Sequence, residues 1–221
     1  MSKSVYSLVL TDQVVEAIDA LAYTMGTSRS ALIDRILASH VSYTTPEMRI
    51  SGIFDSVSRL MAQRSGFIVQ AMQAGDQMMS IRSSLKYKYK PTLRYSLQLL
   101  RSSEKTEGEL KVSFRTQSSE LIAHMENFLH LWAALENKYI VNSLPDGIRY
   151  LIEDGRFTRS FTLPDSYKDK TDEEIAAAIT SYIHMFDDVL KVYFANLDSG
   201  AAEEAVIQRY SEYLKNGITI I

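Results

Sequence analysis

The chain has 221 residues, 46% of them hydrophobic and 23% charged, with only four prolines and nine glycines. This is a globular composition that excludes disordered, collagen-like and low-complexity classes. The absence of cysteine removes disulfide frameworks, thiolate nucleophiles and cysteine-bound metals. No apolar run approaches the roughly 20 residues that span a bilayer, and the opening MSKSVYSLVL is too short in apolar residues for a secretory signal. The expectation is a cytoplasmic protein with no membrane partner.

In chain order, Lys3 to Leu10 is rich in β-branched and aromatic residues and has the length of a strand. Thr11 stands at an N-cap, with Asp12 in the first turn of the helix that follows. The apolar positions Val14, Val15, Ile18, Leu21, Ala22 and Met25 recur at three and four, and Gly26 falls where a left-handed C-cap residue is wanted. Ser28 then caps a second helix with Leu32, Ile33, Ile36 and Leu37 on its apolar face. One strand and two short helices leave an unpaired edge and too little core in about 45 residues, so a second copy is needed.

These residues resemble the ribbon-helix-helix DNA-binding proteins of bacteria, phages and plasmids. The resemblance covers about residues 4 to 42: strand Val5 to Leu10, the Leu-Thr-Asp step, Gly26, and Ser28-Arg29-Ser30. It implies a homodimer whose two strands form an antiparallel ribbon in the DNA major groove. Parity puts Tyr6, Leu8 and Leu10 on one side of the strand, and Lys3, Val5, Ser7 and Val9 on the other. With the bulkier set on the helices, Lys3, Val5, Ser7 and Val9 face the bases. In the family such positions are commonly polar or basic; here Val5 and Val9 offer only apolar contacts and Ser7 a single undiscriminating hydrogen bond. Sequence specificity should be modest or supplied elsewhere. At the head of the second helix, Ser28, Arg29 and Ser30 suit a phosphate clamp; the plain alternative is an N-cap beside a solvated Arg.

Charge is segregated along the chain: residues 1 to 48 carry three basic and five acidic side chains, residues 49 to 101 nine and two, and residues 102 to 221 twelve and twenty. A basic middle hints at a polyanion-facing surface. Its apolar residues Ile50, Ile53, Val57, Leu60, Phe67, Ala71, Ala74, Met78 and Ile81 fall on a seven-residue repeat, which predicts long helical structure contributing to the dimer; Gly66 and Gly75 mark where it would otherwise break into two stacked helices. Next, Lys86-Tyr87-Lys88-Tyr89-Lys90 alternates, and in an extended segment the three lysines share one side. They are candidate phosphate contacts, or else an aggregation-blocking edge.

Period-two alternation returns in Leu93 to Leu99 and Leu110 to Phe114, and again around Glu153-Asp154-Gly155-Arg156, a strong hairpin signal. Helices are predicted over 119 to 140, from the capping box Thr171/Glu174 to about Leu197, and over roughly 201 to 215. Trp132 and the tyrosines on these helices read as core. His124 and His130 are six apart on one helix and cannot share a metal unaided, and Asp187-Asp188 and Glu203-Glu204 read as solvated faces. No nucleophile elbow, phosphate loop or zincin helix is present. No catalytic residue, metal or cofactor is therefore expected.

The predicted fold class is α+β. Residues 1–48 form a ribbon-helix-helix DNA-binding and dimerisation unit, 49–85 a helical connector, and 86–221 an α+β domain with a four-stranded antiparallel sheet under helices. The function expected is a DNA-binding transcriptional regulator, or a plasmid or phage DNA-binding accessory protein. Its partners are double-stranded DNA and a second copy of itself, with higher oligomers possible and a protein or small-molecule effector conceivable at the C-terminal domain. The alternative is an interaction module, antitoxin-like or scaffolding, whose N-terminal unit only dimerises.

Overall fold

The computed structural model describes residues 5–71, 77–88, 90–99, 107–144, 147–162 and 170–217. Helix α1, Asp12–Thr24, ends as the sequence predicts: Gly26 takes φ 62°, its N–H donates to the Tyr23 carbonyl at 3.1 Å, and Thr27 N–H donates to the Ala22 carbonyl at 3.0 Å. That pair of bonds is a Schellman cap, and Gly26 supplies its left-handed residue without a Cβ penalty. Helix α2, Arg29–His40, opens on Ser28, whose Oγ accepts from Ala31 N–H at 3.2 Å. Helix α3, Pro46–Ala62, starts on the Thr45 cap with proline in its first turn.

The long helix predicted from Ile50 to Ile81 does not form. Its first half is real, with Ile50, Ile53, Phe54, Val57 and Met61 buried on one stripe of α3, but the helix stops at Ala62 and Gly66 turns the chain at φ 91°. Beyond it the backbone is β: strand β1, Phe67–Val69, and strand β2, Met78–Ser84, in which Met79, Ile81 and Ser83 point inward and Met78 and Arg82 outward. Period two holds there because successive side chains of an extended strand point to opposite faces of the sheet. Ala74 lies outside the described residues.

Strands β3, Thr92–Leu99, β4, Glu107–Phe114, β5, Tyr150–Glu153, and β6, Arg156–Thr162, complete a six-stranded antiparallel sheet ordered β1-β2-β3-β4-β6-β5. The expected four strands are its centre and one edge; β1 and β2 extend the other side. Register aligns Ile81, Tyr95, Val112 and Phe157 across β2, β3, β4 and β6 on the inner face. Over that face lie α4, Ser119–Tyr139, α5, Asp172–Ala195, and α6, Ala202–Lys215. Helix α5 is buried nearly all round, as a helix enclosed on every side must be. Its Phe186 meets Tyr95, Phe128, Trp132 and Phe157, with ring centroids 4.8 to 6.1 Å apart. The hydrophobic core runs from α3 through β2 and β3 to α6 without interruption at residue 85, so 49–85 is part of the body and not a separate connector.

Polar groups inside this core are paired in part: among the described residues Glu136 Oε1, Arg159 Nη1 and Nη2 and the Thr180 and Tyr210 hydroxyls make no hydrogen bond. Arg159 and Glu136 are both buried, joined by Nε to Oε2 at 3.2 Å and Nη2 to Oε1 at 3.1 Å. Tyr150 donates its hydroxyl to Glu136 at 3.1 Å, and the Arg159 guanidinium stacks 4.5 Å from the Tyr182 ring. Burial alone would lower Arg159, but Tyr182, Glu136 and Tyr150 outweigh it and hold the guanidinium above its usual range. Asp187, read from sequence as solvated, is buried instead: Tyr95 donates to it at 2.8 Å and Lys191 at 2.6 Å. Its neighbour Asp188 pairs with Arg209 at 2.7 Å. Among the described residues no helix is long and apolar enough to cross a membrane.

Candidate nucleic-acid interface

Residues 5 to 10 form neither helix nor strand within the chain. All six are exposed, and the strand expected over Lys3 to Leu10 is absent from them: Val5, Tyr6 and Val9 are 99%, 85% and 101% exposed, and Leu8 and Leu10 57% and 40%, so Tyr6 departs from the side that parity shares with the leucines. Lys3 lies outside the described residues. Helices α1 and α2 bury Ala22, Leu32 and Ala38, yet leave Val14, Leu21, Ile36 and Leu37 between 44% and 51% exposed. The segment and the helix pair thus keep Leu8, Leu10, Val14, Leu21, Ile36 and Leu37 each at least 40% exposed.

At the head of α2, Ser28 spends its hydroxyl on the cap, and Ser30 is exposed. Arg29 is turned back onto α1, where Nε and Nη2 form a two-pronged ion pair with Asp19. A phosphate at this corner would meet the helix amides and Ser30 first, and Arg29 only at the expense of Asp19.

The Lys-Tyr run is not extended, so its three lysines do not share one side of a strand. It is the turn between β2 and β3: Leu85 N–H donates to the Pro91 carbonyl at 3.0 Å, Lys90 N–H to the Tyr87 carbonyl at 2.8 Å, and Lys90 takes φ 45°. Tyr87 packs on Phe194 with centroids 5.2 Å apart. Lys86 and Lys90 are exposed, whereas Lys88 reaches Glu120 at 3.1 Å. Glu120 holds the Lys88 ammonium above its usual value through that hydrogen bond and its charge.

The outer face of the sheet collects residues that composition does not bring together. Ile68, Arg82, Arg94 and Ser113 stand in one row across β1 to β4, and Ser80, Ser96, Lys111, Thr158 and Leu151 in the next. At the sheet end that holds the Lys-Tyr turn, a groove of about 870 Å³ has Phe114 and Ile122 at its base and Arg115, Gln117, Asp154 and Arg156 around it. Arg115 and Arg156 are far apart in sequence and unremarkable there; only the β4-β6 pairing joins them. The outward parity of Arg82 and Arg94 follows from the alternating burial of β2 and β3. Comparison with known families, with curated proteins and with solved structures finds no match.

Proposed function

We propose that the protein is a DNA-binding regulator or accessory factor of ribbon-helix-helix type, acting as a homodimer through residues 5 to 40. The observation that carries this reading is the exposed Val5–Leu10 segment beside the half-exposed apolar faces of α1 and α2. A second copy would pair the segments into a two-stranded ribbon and cover Leu8, Leu10, Val14, Leu21, Ile36 and Leu37 together. Val5, Ser7 and Val9 would then lie on the outer side of the ribbon, available to base edges and thymine methyls. The N-terminus of α2, with Ser28, Ser30 and, once released by Asp19, Arg29, would lie against phosphates.

One observation favours a second reading, in which this unit only joins two copies: Arg29 already has a carboxylate partner, and the first 48 residues are net acidic. Sedimentation and duplex binding separate the two. The DNA reading expects a dimer that selects a sequence from a random duplex pool, and loses that preference in Val5→Asp/Val9→Asp without losing the dimer. A dimer that selects nothing leaves the interaction module; a monomer with an ordered N-terminus overturns both.

A further inference from the structure

On the outer face of the sheet, Arg82 of β2 stands directly opposite Arg94 of β3. Like charges in that position weaken a strand pair, and among the described residues no carboxylate separates or partners them. Among the described residues Arg94 donates to Gln70 Oε1 at 3.4 Å. The row continues through Ser113, and the alignment that pairs Val112 with Phe157 sets Arg156 beyond it. Arg156 shares its groove with Arg115 and with Asp154, and stands across the β5-β6 pair from Glu153. Among the described residues neither Arg115 nor Arg156 lies within ion-pair distance of a carboxylate, as is also true of Arg35, Arg64 and Arg149, whereas Arg29, Arg49, Arg59, Arg159 and Arg209 are paired. Lys86 and Lys90 add two exposed ammonium groups in the turn at the same end.

We propose that this end of the sheet is a second phosphate-binding surface, built by Arg82, Arg94, Arg115 and Arg156 for the backbone of duplex DNA. It rests on the DNA reading above and extends it to the C-terminal body. The spacing selects a polyanion over a small ligand: strands lie about 4.8 Å apart, so Arg82 and Arg156, three strands apart, are separated by about 14 Å. A single phosphate cannot bridge them, and a run of phosphates on a duplex can. An anion there removes the repulsion between Arg82 and Arg94, which explains why two arginines are tolerated opposite one another. Contacts of this kind position the protein without reading bases, and so supply the affinity that Val5, Ser7 and Val9 lack.

The test uses the full chain, a 20-base-pair duplex of arbitrary sequence and a potassium chloride series, with R82Q/R94Q, R115Q/R156Q and the fourfold variant. Each lost contact should flatten the slope of log affinity against log salt by about 0.9 per subunit, to about 3.6 for all four. R82Q/R94Q should melt no lower than the parent, which separates lost binding from lost folding. An unchanged slope in a fourfold variant of normal melting temperature overturns the proposal, as does displacement of the duplex by millimolar inorganic phosphate at constant ionic strength, the mark of a small-anion site. Running V5D/V9D beside them keeps the two readings apart. Arginine variants that weaken binding while V5D/V9D does not leave this surface standing and remove the ribbon; the converse removes this surface alone.

Discussion

Trp132, Phe157 and Phe186 in the body are fully withdrawn from solvent, whereas Leu8, Leu21, Ile36 and Leu37 in the first forty residues each keep 45% or more of their surface exposed. Both regions are rich in apolar side chains; they differ in what those side chains can reach. Among the described residues the body has a six-stranded sheet and four helices to close over one another, and that closure carries the desolvation cost of its buried Glu136–Arg159 pair. The N-terminal unit has two short helices and one lone segment, so its apolar positions follow the right periodicity and still find no lid. Amphipathic pattern specifies which face is to be buried, and chain length decides whether one copy can bury it.

The body half of this comparison breaks most sharply at Glu136. Glu136→Ala leaves Arg159 charged and buried without its carboxylate, and should cost about 3 to 5 kcal/mol. Urea unfolding followed by the single Trp132 reads it directly. Glu136→Leu with Arg159→Met should recover most of that loss, since an apolar pair of similar volume needs no compensation. Recovery failing while Glu136→Ala alone is mild would mean that the pair is hydrated and the core less closed than its burial implies. Neither variant should move the monomer-dimer equilibrium.

Leu8 tests the other half. In one isolated chain it is 57% exposed, and Leu8→Ala should then change stability by less than about 0.5 kcal/mol. Within a dimer core the same truncation should cost about 2 to 5 kcal/mol of dimer stability, seen as dissociation on dilution in sedimentation. Val9→Ala, on the outward side, should leave dimerisation unchanged. Equal effects from the two would show that the faces of the segment are not distinguished, and the parity assignment would fall.

How far the fold was readable from sequence follows the same division. Helices α4, α5 and α6 carry long uninterrupted stripes and were placed within a few residues; the Thr171/Glu174 capping box is present, with Glu174 N–H donating to Thr171 Oγ1 at 3.2 Å and Thr171 N–H to Glu174 at 2.9 Å. The Asp154-Gly155 turn takes φ 48° and 68°, as a type I′ hairpin needs. Strands β1 and β2 were missed because Phe67, Met78 and Ile81 happen to continue the spacing set by the genuine stripe of α3. Gly66 was the signal against it. Asp187 was misread because an adjacent acid pair gives no hint that Tyr95, 92 residues away, will reach it. Of the candidate interface, Leu8 and Leu10 are less exposed than Val5 and Val9, as the alternation expects, while Tyr6 at 85% is not; the convergence of Arg115 and Arg156 depends on strand order, which local pattern does not encode.

The smallest expected effect is one of pH, and it acts on the body. His184 of α5 packs against Phe67 with ring centroids 6.3 Å apart. Burial, with Arg64 and Lys191 nearby, holds its pKa below the ordinary 6.5, while Asp188 and Asp187 pull the other way. The unfolded chain therefore binds the proton more tightly than the folded one. Stability is fully present above the unfolded value of about 6.5 and declines as pH falls below it toward the depressed folded pKa. Trp132-monitored urea midpoints between pH 7.5 and 5.5 should drift downward, and His184→Gln should flatten the drift. A midpoint that rises on acidification would require the Asp187 and Asp188 charges to dominate at His184, and so would place that ring nearer the carboxylates than to Arg64.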